Sequence, residues 1–280
     1  MILREPCLPP GWYPRQKGEI EKFLAPYGNR SRDVGASAAM APHAGWYYSG
    51  STAALAVASL CQKAETVAII GGHWPCGKPV LVAAEDGVKT PSGTMTIDKE
   101  LRDEFQKLIS LDMKPASPDR YTDNTVEVLL PMVQYFFPRA DLLWLRFPAE
   151  QSSFEAGKIL DKAANALGRQ IVVLASADLT HYGKNYGFSP KGDGKPALEW
   201  VKNVNDAAFI NALLEGNPAM ALERAENDFS SCSAGAVLGA LGFAASKGKK
   251  ARLLDYRTSA DVTGEDEPAS FVGYAAVVWD

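Results

Sequence analysis

Short apolar runs and amphipathic stretches alternate along the chain. Residues 36–40, 65–70, 140–147 and 170–176 are compact apolar runs, and each predicts a strand. The last has an unbroken Ile-Val-Val-Leu-Ala centre, as in strands covered on both faces of a parallel sheet. Residues 79–84 are a further candidate strand, and residues 89–97 a β-turn or hairpin. Helical patterning predicts helices over residues 17–24, 49–62, 98–109, 125–137, 153–167, 197–214, 218–225 and 232–246. Ser49 or Ser51 is the expected cap of the second helix, Asp98 caps the third, and Pro131 interrupts the fourth. The last two predicted strands, residues 252–258 and 271–279, are joined through the acidic loop 264–268 without a long helix, which predicts a hairpin. Strands alternating with helices predict an α/β three-layer sandwich with a mixed, mostly parallel central sheet and right-handed crossovers. No repeat and no Gly/Ser-rich linker divides the sequence, so one domain over residues 1–280 is expected.

Composition narrows the function classes. A net charge of −4 and a pI near 5.5 argue against a nucleic-acid partner. The short basic cluster 247–250 reads as a solvated helix end. No apolar run reaches the length that spans a bilayer, so no membrane partner is expected. The first residues lack the apolar core of a secretion signal, which makes the cytoplasm the expected location. The four cysteines form no Cys-x-x-Cys pair, so each is expected to be a buried thiol or a ligand rather than part of a disulfide framework.

The chemistry concentrates at three histidines, the only ones in the chain. His43, His73 and His181 each sit where an apolar run meets a Gly-containing turn. Strand ends facing a crevice are where open α/β sheets build their sites. Imidazole is both a metal ligand and a general acid or base near neutral pH. His43 and His73, expected at neighbouring strand ends, read as a metal pair or as turn-capping histidines. Asp178 and His181, three residues apart, read as a carboxylate–imidazole pair or as an exposed turn. Cys232 opens a small-residue helix, whose dipole would lower its thiol pKa and suit it to ligation or nucleophilic attack. Cys76, in His73-Trp-Pro-Cys76, is the alternative thiol. Glu127 lies in a first helical turn, as a capping carboxylate or facing the crevice. No Walker loop, His-Glu-x-x-His, Gly-x-Ser-x-Gly or strand-linked Gly-x-Gly-x-x-Gly is present, which removes weight from nucleotide binding and serine-hydrolase chemistry.

Four segments together resemble the Memo family, also called AmmeMemoRadiSam system protein B. They are Gly11-Trp-Tyr-Pro14, Ala41-Pro-His-Ala-Gly-Trp-Tyr-Tyr-Ser-Gly50, Asn124-Thr-Val-Glu127 with Pro131, and Ser176-Ala-Asp-Leu-Thr-His-Tyr-Gly183. The resemblance covers nearly the whole chain and implies the fold of the class III extradiol dioxygenases. It implies one metal ion on His43, His73 and Cys232, with Fe(II) favoured and Cu or Zn as alternatives. It implies His181 as catalytic acid/base oriented by Asp178. Glu127, Asn124, Tyr48, Trp46, Trp74 and Tyr182 are the candidate contacts of a small molecule or peptide. A dioxygenase-like oxidoreductase is the leading expectation. A non-catalytic metal- or peptide-binding protein and a zinc hydrolase are the alternatives. The family name also implies radical-SAM and AMMECR-type partners. Three positions depart from the family pattern: Gly72 precedes His73 where Ser or Asn is usual, Asn124 stands for a usual histidine, and Ser233 follows Cys232 where Gly is usual.

Overall fold

The structure is a computed structural model that describes residues 1–28, 35–109, 113–121 and 123–280. Its strands are β1 (Leu3–Arg4), β2 (Ala38–Ala41), β3 (Thr66–Gly71), β4 (Leu81–Ala83), β5 (Gly87–Thr90), β6 (Gly93–Thr96), β7 (Ser117–Asp119), β8 (Asp141–Arg146), β9 (Ile171–Ser176), β10 (His181–Gly183), β11 (Ala251–Thr258) and β12 (Ser270–Trp279). Its α-helices are α1 (Lys17–Leu24), α2 (Trp46–Ser59), α3 (Lys99–Ile109), α4 (Asn124–Glu127), α5 (Leu130–Phe136), α6 (Ser152–Ala166), α7 (Lys195–Trp200), α8 (Asp206–Leu214), α9 (Pro218–Asn227), α10 (Ala234–Ser246) and α11 (Ser259–Thr263).

The large sheet runs β10-β12-β2-β9-β3-β8-β4-β7, and β11 pairs with β12. Its centre, β2-β9-β3-β8, is parallel. The β11–β12 hairpin is antiparallel, as expected from its connection, and so is the β12–β2 pair. The expected hairpin near residues 89–97 is β5–β6, and it belongs to a separate three-stranded sheet with β1.

Alternation along the central strands sends side chains to two apolar layers. Met40, Ile70, Leu145 and Val173 join α3, α6, α8, α9 and α10 on one face. Ala39, Ile69, Trp144 and Leu174 join α1, α2 and α5 on the other. Because both faces are covered, the central strands read as continuous apolar runs. The three-layer sandwich with a mixed sheet is therefore as the pattern predicts.

Close packing of glycines seats α10, the helix that follows Cys232. A Cβ on Gly157 of α6 would lie 1.9 Å from the Gly239 carbonyl oxygen, and one on Gly242 would lie 1.9 Å from that of Phe154. The two backbones approach to a distance that only glycine allows.

Several boundaries differ from expectation, and the helix expected over residues 197–214 is divided into α7 and α8 by the π-helical turn Val201–Asn205. Helix α2 begins at Trp46, capped by Gly45, rather than at Ser49 or Ser51. The Gly45 carbonyl already accepts from the backbone N–H groups of Tyr48 and Ser49, so the chain turns helical before the serines. The interruption expected at Pro131 is present: α4 ends at Glu127 and α5 begins at Leu130, with Pro131 in its first turn, where the missing N–H costs nothing. No helix among the described residues is long and apolar enough to cross a membrane.

Candidate metal centre

The parallel strands end on one edge, and the residues just past those ends build the site. His43 follows β2, His73 follows β3 and Asp178 follows β9. The two histidines are not on neighbouring strands, because β9 lies between β2 and β3. The intervening strand ends in small residues, Ala175, Ser176 and Ala177, and the imidazoles meet across it with ring centres 5.0 Å apart.

Sheet register holds His43. Ala41 pairs with Ser176, which brings the Ser176 hydroxyl to 2.9 Å from His43 Nδ1. The His43 backbone N–H donates to Asp178 Oδ1 at 2.7 Å, and Asn124 Nδ2 donates to the His43 carbonyl at 3.0 Å. Nε2 is left facing Cys232 Sγ at 3.3 Å. Burial pushes the His43 pKa below its ordinary value, so the ring is neutral and its Nε2 is able to ligate.

His73 is held differently. Its backbone lies in the left-handed region at φ +56°, which costs of order 1–3 kcal/mol for a residue with a side chain. Its Nδ1 is 3.9 Å from Asp123 Oδ2. Asp123 is paired with the buried Arg146, whose Nε also donates to Asp119 at 2.8 Å and whose Nη1 donates to the Gly72 carbonyl at 3.1 Å. One guanidinium thus holds the carboxylate beside His73 and the peptide before it. Burial, then the neighbouring His43, lowers the His73 pKa to about 4.

Cys232 comes from the far end of the sequence. Its N–H donates to the Asp178 carbonyl at 3.2 Å, two residues before α10 begins. The helix dipole does not set its acidity as expected. Burial, then the Asp178 charge, pushes the thiol up to about 12. A bound cation would reverse that sign, because coordination takes the thiolate. One donor atom each from His43, His73 and Cys232 lies within 4.8 Å of the others. Metal–nitrogen and metal–sulfur bonds of ordinary length place such donors roughly 3.5 Å apart, so the cluster fits one ion. The alternative thiol, Cys76, is exposed and turned toward Glu150.

Gly72 and Ser233 explain how the halves of the site close. A Cβ on Gly72 would fall 1.7 Å from Ser233 Oγ. The departures at residues 72 and 233 are therefore one feature: the smaller residue before His73 makes room for the larger one after Cys232.

Asp178 links the donors to a crevice. Its Oδ2 is 3.8 Å from His43 Nε2 and 3.6 Å from His181 Nε2. Burial alone would raise its carboxyl. The two imidazoles and the His43 N–H hold it below the usual carboxylate range. His181 Nε2 is buried with no hydrogen-bond partner in ordinary range. A crevice of about 600 Å³ ends at Asp178 and His181, and the candidate contacts Asn124 and Tyr48 are among its lining residues. Trp12, Tyr47, Tyr186 and Tyr274 also line it. A smaller crevice of about 190 Å³ reaches Cys232 from the other side of His181 and Tyr186.

Four candidate contacts serve the framework instead. Glu127 is buried and accepts from the Cys7 and Leu8 backbone N–H groups and from the Tyr13 hydroxyl, which anchors the N-terminal segment. Trp46 is buried and donates to the Val128 carbonyl. Trp74 donates to the Pro79 carbonyl and packs on Tyr121. Tyr182 is fully buried, and its hydroxyl ties the 191–192 turn to β10. The residues missed as site framework are Arg146 and Ser176. An Arg ending an apolar strand, in Asp141-Leu-Leu-Trp-Leu-Arg146, was the available signal for the first.

Fold and site together define a layered α/β protein with a two-histidine, one-cysteine donor cluster at the carboxyl ends of its parallel strands. Residues 4–278 match the Memo-like protein family, and the chain belongs to that family. Similar relatives are a MEMO1 family protein of Pyrococcus abyssi, 31% identical with 99% of each chain covered, and one of Archaeoglobus fulgidus, 30% identical over the same shares. A solved structure of an uncharacterized protein from Escherichia coli K12 shares the fold, with a TM-score of 0.54 and 14% identity over 86% of this chain and 98% of that one.

Proposed function

We propose that this protein is a metal-dependent, dioxygenase-like oxidoreductase acting on a small molecule, with Fe(II) held by His43, His73 and Cys232. The observation that supports it is the three-donor cluster standing beside the Asp178–His181 pair. When bound, the ion would supply Lewis acidity and open coordination positions. The protein's own residues do the rest. Ser176 engages Nδ1 of His43 at 2.9 Å, which leaves Nε2 as the ligating atom. Asp178 Oδ2, 3.6 Å from His181 Nε2, holds the His181 ring at the inner end of the crevice, where the imidazole gives a proton to a ligand or takes one from it. Asn124 holds the His43 peptide at the crevice wall.

Metal content tests the proposal. Wild type, His43→Ala and Cys232→Ala are purified anaerobically under reducing conditions and analysed for metals. The expected result is near-stoichiometric iron in the wild type and its loss in both variants, followed by O₂ uptake that His181→Ala abolishes. Zinc in place of iron would replace redox chemistry with hydrolysis. A wild type that takes up no metal on reconstitution would overturn the enzyme reading and leave a ligand-binding protein.

A further inference from the structure

The charge and ring content of the large crevice name a ligand class. Its described lining carries two carboxylates, Asp178 and Glu265, and no Lys or Arg. The basic side chain on its wall is His181, which itself faces Asp178. Nearby Lys184 points to solvent and pairs with Asp193 at 3.6 Å. Aromatic faces make up much of the rest. Tyr47 is 69% exposed and meets Tyr48 edge to face at 4.9 Å. Tyr186 packs on the His181 ring at 5.0 Å, with Trp12 and Tyr274 completing the wall. The placement of Glu265 is built: Gly264 closes α11 in the left-handed conformation, and the Glu265 N–H returns to the Ala260 carbonyl at 3.1 Å.

We propose that this crevice binds an organic cation with an aromatic or apolar body, an amine rather than a carboxylate or phosphate. Aromatic faces attract a cation through the ring quadrupole, and the carboxylates of Asp178 at the inner end and Glu265 on the wall add to that attraction. An anion would meet two like charges and no guanidinium or ammonium to pair with. A divalent ion held by a single thiolate does not cancel this, because Asp178 and Glu265 leave the region with a surplus negative charge. The inference deepens the oxidoreductase reading and rests on it for the location of the reacting end, at His181.

Three probes with the same phenol ring test it: tyramine, 4-ethylphenol and 4-hydroxyphenylacetate. Binding is measured by calorimetry near pH 7 on iron-loaded and on chelator-stripped protein, alongside metal analysis. Tyramine is expected to bind about tenfold more tightly than 4-ethylphenol, and 4-hydroxyphenylacetate most weakly, in both forms. Glu265→Gln is expected to cut the tyramine advantage about threefold and leave 4-ethylphenol unchanged. The carboxylate probe binding as tightly as tyramine, or none of the three binding, would overturn the proposal. The expected probe order in a protein that holds no metal would uphold the cation site and count against the oxidoreductase reading alone.

Discussion

His43 and His73 stand on opposite sides of β9 and are held by different physics. His43 is fully buried, in ordinary backbone, and fixed by the register of β2 against β9 through Ser176 and Asp178. His73 is partly exposed, in left-handed backbone, and fixed from a distance by Arg146 through Asp123 and the Gly72 carbonyl. Hydrogen bonds that come with the sheet cost nothing beyond folding it. A ligand held off the sheet needs a charge network and strain to keep its place. The His73 side should therefore be where the site loosens first.

The largest expected effect is on that network. Arg146→Met leaves Asp119 and Asp123 without their cation and should destabilise the fold by about 3–5 kcal/mol, read from urea denaturation. An unchanged midpoint would show that the network does not hold the His73 side. Next comes the closure between the halves. Gly72→Ala drives a methyl into Ser233 Oγ and should cost about 1–3 kcal/mol and weaken metal binding. Adding Ser233→Gly should restore both, and a double variant no better than the single would show that the two positions do not couple.

Proton release separates the thiol from the two imidazoles. Burial lowers the pKa of both imidazoles, that of His73 to about 4, whereas the thiol is pushed up to about 12. Metal binding near neutrality then displaces one proton, from Cys232. Affinity should rise about tenfold per pH unit between about pH 6 and 8 in chelator competition. A flat profile would mean that the thiolate is not a ligand. In the metal-free protein the sign is opposite. The raised thiol contributes stability below its ordinary pKa, and that contribution falls as pH climbs toward 12.

On the His43 side, Ser176→Ala removes the partner of Nδ1 and should cost about 10–100-fold in metal affinity with little change in folding. The smallest effect tests the strain. His73→Gly should be about 1 kcal/mol more stable than His73→Ala, because only glycine occupies φ +56° freely. Equal stabilities would remove the strain from the account.

Much of the scaffold was legible in the residues. The apolar runs 65–70, 140–147 and 170–176 became β3, β8 and β9, because a strand buried on both faces must be apolar throughout. Asp98 caps α3 as expected, since its Oδ1 accepts from the Leu101 N–H at 2.9 Å. The histidines and Asp178 were marked by their position after strands. Trp46, Trp74 and Tyr182 serve the framework for a physical reason: a tryptophan or tyrosine with one polar atom has the same local pattern whether it donates to a buried carbonyl, as Trp46 does, or lines a crevice, as Tyr48 does. Glu127 satisfied the rule for a first-turn carboxylate, yet its partners lie more than a hundred residues earlier.

Local pattern along the chain was enough to specify the alternation of strands and helices, the three-layer class and the placing of His43, His73 and Asp178 after strands. Periodicity and turn chemistry act over a few residues and can be read in order. Packing of the whole molecule was needed to put β9 between the two histidines, to set Ser176 and Arg146 as their supports, and to bring Cys232 to His43 across 189 residues. Strand order and helix packing set those meetings, and they depend on how whole surfaces fit together rather than on any local pattern. The thiol's acidity follows the same division: a helix start predicted it lowered, and the burial that only the packed fold creates raised it.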